Sequence, residues 1–156
     1  MEEYNEKGLE KYLCKINNGK TEEHGFFCKF LKKNKKEYKY FLITSDKIAK
    51  KNFLRIKFKS GEERIIYIYP GKELFNLDNY KIKAFEINPE NEKIFDFLEY
   101  DYSEMISKTS LKNQKICIPY FSQDFKLNLY IGTINEYLTD IKFKNECDMT
   151  CPIILN

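Results

Sequence analysis

The chain has 156 residues, 42 % of them apolar and 16 % aromatic; that is enough for one domain, or two small lobes on a shared core, and it excludes a wholly disordered chain. Lys and Arg number 27 against 24 Asp and Glu, a net charge of +3, too slight to demand a nucleic-acid partner by itself. The five cysteines (Cys14, Cys28, Cys117, Cys147 and Cys151) are an odd set without the dense spacing of a secreted disulfide framework, so reduced thiols and an intracellular, cytoplasmic setting are expected.

The opening "MEEYNEKGLEKYLCKI" is charged and lacks a signal-peptide run, and no stretch reaches the roughly 18 apolar residues of a membrane span. Residues 2–13 predict a short helix with Tyr4, Leu9, Tyr12 and Leu13 partly on one face. Strand signals then dominate. "YLCKI" (12–16) leads into the turn-rich "NNGKTEEHG", and "GFFCKFL" (25–31) alternates. "KKNKKE" (32–37) is a charged hairpin connection to "YKYFLIT" (38–44), and "SDKIAKKN" (45–52) reads as one helical turn. "FLRIKFKS" (53–60) sets Phe53, Arg55, Lys57 and Lys59 opposite Leu54, Ile56 and Phe58. Gly61 and Glu62 turn the chain, "RIIYIY" (64–69) returns, and Pro70-Gly71 breaks it. "YKIKAFEI" (80–87) is a further strand, "NPENEKI" (88–94) a loop or turn, and "FDFLEY" (95–100) is short and apolar. "KICIPYF" (115–121), "LNLYIGTINEYL" (127–138), "DIKFKN" (140–145) and "CPIILN" (151–156) complete the set. About nine short strands at this spacing predict an all-β barrel or sandwich. The polar stretch "YSEMISKTSLKNQ" (102–114) separates a lobe of residues 1–101 from one of residues 115–156.

Residues suited to chemistry are few. His24, the only histidine, precedes a strand in "TEEHGFF". As a base it would need Cys147 or Cys151 beside it to activate a thiol; the plainer reading is a loop or surface histidine. Cys147-x-x-x-Cys151 lacks the second close pair that structural zinc commonly uses, so neither metal nor cofactor is expected. Lys32, Lys33, Lys35 and Lys36, then Lys47, Lys50 and Lys51, then "RIKFK" (55–59) interleave cations with Phe and Tyr, a composition that can bind nucleic-acid backbones. The plainer reading there is a solvated hairpin tip and strand face.

Several pieces in order resemble one family. "GFFCKF", a strand ending in "FLIT" and a short turn resemble the first lobe of trypsin-like serine peptidases, where the histidine base follows Thr-Ala-Ala or Thr-Asn-Asn. "YKIKAFEI" resembles the strand that opens on the triad aspartate, and "FDFLEYD" the segment closing that lobe. "YIGTINEY" resembles a strand of the second lobe. "CDMTCPIIL" resembles Gly-Asp-Ser-Gly-Gly-Pro-Ile-Val, which carries the nucleophile. The resemblance spans roughly residues 10–156.

The resemblance implies a trypsin-like double β-barrel. The family adds strands after its Ser-Pro strand, so with Asn156 last the second barrel is expected to be truncated. It also implies a pseudopeptidase. Lys47 falls at the histidine position, Lys81 at the aspartate and Met149 at the serine, whereas the triad needs an oxygen nucleophile, an imidazole and a carboxylate. No glycine occurs in residues 146–151 to shape an oxyanion loop. The expected role is therefore that of a non-catalytic interaction or structural subunit. Its second lobe would engage another protein chain or a second copy, and no membrane, through Tyr130, Tyr137, Ile153, Ile154 and Leu155. Two other readings stand beside it: a small basic all-β module for RNA or a ribonucleoprotein, and a residual thiol hydrolase.

Overall fold

The computed structural model describes residues 6–17, 19, 21–32, 36–48, 52–68, 74–77, 82–99, 115–122, 124–133, 152 and 154–155, and they are predominantly β. Of the helical segment expected over residues 2–13, residues 2–5 with Tyr4 lie outside the described residues, and α1 (Glu6–Glu10) ends before Tyr12 and Leu13. Leu13, Cys14 and Ile16 are buried and extended, so β1 (Leu13–Asn17) begins where the helix pattern would have continued.

β1 joins seven further strands: β2 (Glu22–Leu31), β3 (Tyr38–Ser45), β4 (Phe53–Lys57), β5 (Glu63–Tyr67), β6 (Leu74–Leu77), β7 (Ile82–Ile87) and β8 (Leu98–Glu99). The sheet runs β5-β4-β1-β2-β3-β7-β6, with β8 added in parallel beside β2, and it curls into a half-barrel. Strand alternation fills the inside of the curl: Cys14 and Ile16, Leu54 and Ile56, Ile66, Leu42, and Phe85 with Ile87 are buried in one cluster. Phe58 stacks on Phe27 at 5.6 Å, and Phe97 meets Phe27 edge-on at 6.0 Å and Tyr40 at 4.7 Å, plugging one end. At Gly25, a Cβ would lie 2.9 Å from the Ile43 carbonyl and 3.0 Å from both Ile16 Cδ1 and Leu42 Cδ1. Only glycine lets β1, β2 and β3 close at that point.

β2 is ten residues long, and one edge of it serves two partners. Its first half pairs with β1, Leu13 opposite Phe26 through Asn17 opposite Glu22. Its second half pairs with β8, Cys28 opposite Leu98 and Lys29 opposite Glu99. Tyr38 Oη donates to Glu99 at 2.7 Å, which ties β8 to the neighbouring strand as well.

The stretch read as a loop at 88–94 contains a short helix, α2 (Pro89–Glu92). Its signals are local: the Asn91 N–H donates to the Asn88 side chain at 3.3 Å, the Asn88 N–H donates back to Glu92 at 3.1 Å, and Pro89 takes the first helical position. Of the single helical turn expected over "SDKIAKKN" (45–52), the described start is a hydrogen-bonded turn, with the Ile48 N–H on the Ser45 carbonyl at 3.3 Å, and residues 49–51 lie outside the described residues. β6 follows the Pro70-Gly71 break and was not foreseen.

A second sheet has the order β10-β9-β11, built from β9 (Lys115–Phe121), β10 (Leu127–Thr133) and β11 (Ile154–Leu155). The Ser122 N–H to Lys126 carbonyl bond closes the β9–β10 hairpin and fixes its parity, so Pro119 turns its missing N–H away from β10. On the other side Ile154 pairs with Cys117 and Leu155 with Ile116. Two residues further along that register, Pro152 would face Pro119, and neither has an N–H to contribute. The β11 ladder therefore stops at two residues. The interlobe stretch at 102–114 lies outside the described residues.

Candidate functional site

The end of β3 meets the start of β7, Ser45 opposite Ile82 and Thr44 opposite Lys83. The turn after β3 folds back over this junction. Ser45 Oγ accepts the Lys47 N–H at 3.1 Å, and Ile48 drops into the core. Lys83 is 8 % exposed; its ammonium donates to the Ile48 carbonyl at 3.0 Å. Among the described residues no carboxylate pairs with it. Lys83 is thus a buried strut under the turn. Thr44 is fully buried and donates through Oγ1 to the His24 carbonyl at 2.9 Å. Among the described residues the junction offers two hydroxyls, of Thr44 and Ser45, and the amine of Lys83.

Lys47 sits on the turn with its side chain exposed. Lys81 and Met149 lie outside the described residues, as do Lys33, Lys35, Lys50, Lys51, Tyr137, Ile153, Cys147 and Cys151. Sequence reasoning passed over Lys83. Its signal was present in "IKAFEI": the period-2 pattern puts Lys83 on the same face as Phe85 and Ile87.

His24 is not a loop residue. It lies inside β2, half-buried, with its ring edge-on to Phe121 at 6.3 Å. Burial pushes its pKa below the ordinary 6.5, the nearby Lys15 ammonium pushes it further down, and Glu22 opposes both. The backbone of His24 touches the β3–β7 junction through Thr44, but strand alternation sends its ring to the opposite face. Phe121 also packs on Phe125 at 4.6 Å, and Phe125 lies between two ammoniums, Lys15 at 4.5 Å and Lys59 at 5.1 Å. The β9–β10 hairpin is therefore seated on the outer face of β1 and β2.

Cys14 and Cys28 are free and buried, in line with their strand positions. Burial pushes the Cys14 thiol far up and the Cys28 thiol up to about 11. The expected lysine patch is partly self-neutralised, since Lys32 pairs with Glu37 at 3.0 Å. Ile154 and Leu155 are paired in β11, and Tyr130 stands opposite Ile118 in β10.

Two open grooves flank Phe95, which is 68 % exposed. One, of about 670 Å³, runs past the end of α1 and the β4–β5 turn; the other, of about 530 Å³, crosses β3 and β7. The cations of the first are largely engaged. Arg64 donates to Glu62 at 2.8 Å, to the Glu63 carbonyl at 2.8 Å and to the Lys93 carbonyl at 3.3 Å, and Lys11 lies 3.8 Å from Asp96. Among the described residues no three His, Cys, Asp or Glu side chains converge as metal ligands would, and no helix is long and apolar enough to cross a membrane. No protein-family model, curated protein or solved structure matches the chain.

Proposed function

We propose that the chain is a trypsin-like pseudopeptidase, a non-catalytic double-barrel protein acting as an interaction or structural subunit. One observation carries the reading. A histidine base and the carboxylate that orients it must come within hydrogen-bond reach. The segment after "FLIT" and the start of "YKIKAFEI" would therefore have to be neighbours, and Ser45 stands opposite Ile82. Among the described residues, the groups in reach at that junction are Ser45, Thr44 and the Lys83 ammonium, which cannot orient or replace an imidazole. A further support is the pairing of Ile154 and Leu155 with β9, as a strand at the end of a second lobe would require. We assign the contact to another chain to that lobe, where β11 is a two-residue strand with one partner among the described residues.

The test is direct. The purified chain is incubated with a broad panel of peptide and ester substrates, a fluorophosphonate and an iodoacetamide-type probe. Neither turnover nor fluorophosphonate labelling is expected. Turnover that vanishes in His24→Ala would overturn the reading and favour the thiol hydrolase. Light scattering with hydrogen exchange over residues 115–133 tests the subunit role: a monomer at high concentration with full protection there would remove the second lobe as a contact.

A further inference from the structure

The outer face of the β4–β5 hairpin differs from the rest of the described surface. Three of the four large hydrophobic residues exposed among the described residues lie on it: Phe53 at 39 %, Ile65 at 41 % and Tyr67 at 61 %. Phe53 stands directly opposite Tyr67, and Arg55 opposite Ile65. The hairpin's hydrogen bonds fall on the alternate positions, from Phe58 N–H to Glu62 O and from Ile68 N–H to Asn52 O. Phe53 and Tyr67 are therefore a non-hydrogen-bonded pair, the closer of the two antiparallel geometries. Leu54, Ile56 and Ile66 face the core, so this outer apolar surface is not needed to hold the hairpin down.

The charges on the face run with the aromatics. Arg55 and Lys57 occupy successive outward positions of β4, about 6.8 Å apart, and both are exposed. Neither forms an ion pair among the described residues. Lys57 stands directly opposite Lys15 on β1, whose own ammonium is paired with Glu22 at 3.2 Å. The one acid in the row, Glu63 opposite Lys57, makes no ion pair with it.

We infer that this face binds single-stranded nucleic acid, RNA being the form tested: bases stack on Phe53 and Tyr67, and phosphates lie against Arg55 and Lys57. Aromatic rings accept any base face, and cations follow the backbone without reading sequence. An acidic peptide would satisfy the two cations but has no use for two exposed aromatic residues at facing strand positions. The site is independent of the β3–β7 junction and of the second lobe's contact, so it stands whether or not the chain descends from a peptidase.

The test uses the full chain and a fluorescein-labelled oligouridylate of about twelve nucleotides, followed by anisotropy at several salt concentrations. Saturable binding is expected, with the affinity falling as salt rises by a slope of about 0.7 per contacted phosphate. Removing one ring, in Phe53→Ala or Tyr67→Ala, should weaken binding roughly tenfold or more with the salt slope kept. The double change Arg55→Gln, Lys57→Gln should reduce the slope by about 1.4, while Phe53→Tyr should bind as the parent does. Melting curves of each variant confirm folding, and Lys32→Gln with Lys36→Gln is the control, expected to leave binding unchanged. The inference is overturned by absence of binding, by binding that survives both ring removals, or by equal affinity for polyglutamate. It is overturned equally if only the Lys32 and Lys36 changes abolish the signal.

Discussion

His24 shows how one position ties the two sheets together. Its ring is neutral where it meets Phe121, and both burial and Lys15 disfavour its protonated form. The folded-state pKa lies below the unfolded 6.5, so between the two values the unfolded chain binds more protons. The stability that the neutral ring contributes is complete above pH 6.5 and is lost as pH falls through the folded value. We expect the melting temperature to drop on acidification from pH 7.5 to 5, and His24→Gln to flatten that part of the curve; an unchanged curve in the variant would show that other groups govern it. The two buried thiols make a second case. With Cys14 fully buried and the Cys28 thiol pushed up to about 11, little thiolate exists at neutral pH. Mass spectrometry after a brief iodoacetamide pulse should find neither residue alkylated in native buffer and both alkylated in denaturant.

At the scale of elements, α2 gives the cleanest test of local signals. Asn88→Ala removes the acceptor at the helix start and should cost about 1 kcal/mol in chemical denaturation, while Asn88→Ser should retain most of it. That helix was legible in "NPENE" as a capping pattern, Asn followed four residues later by Glu92, yet a reading tuned to strand spacing took it for a turn. Strands with clean alternation were easy: "FLRIKF" gives β4 with Leu54 and Ile56 inward, and "KICIPYF" gives β9 residue for residue. The early helix ends at Glu10 rather than at residue 13 because Tyr12 and Leu13 fit both periods, and the pairing of Leu13 with Phe26 decided for the strand. His24 was misplaced for a related reason. Glu22, Glu23 and His24 read as a polar stretch, but the His24 ring lies under the hairpin rather than in water, and it is the distant Phe121 that covers it. Lys83 needed no distant information, only the alternation of its own strand.

For the whole molecule, the joint between the sheets rests on few residues among those described. Phe121 is 1 % exposed and touches both Phe125 and His24. Phe121→Ala should therefore destabilise by about 3–5 kcal/mol, whereas Phe125→Ala, which removes a ring from between two ammoniums, should cost less. Hydrogen exchange would separate two modes of failure. If the second sheet opens as a unit, amides of β9 and β10 lose protection together while those of β1 to β4 keep theirs. The divided edge of β2 bears on a different question, the time order in which the molecule is made. The half of β2 that pairs with β1 finds its partner already synthesised. The half from Cys28 waits for Leu98 and Glu99, which emerge several seconds later at about 5–20 residues per second. Through that interval "CKFL" has β3 on one side and bare backbone on the other. A nascent chain halted before Leu98 would present a row of unpaired amides beside Phe30, a strand for chaperones to cover and for neighbouring ribosomes' products to join.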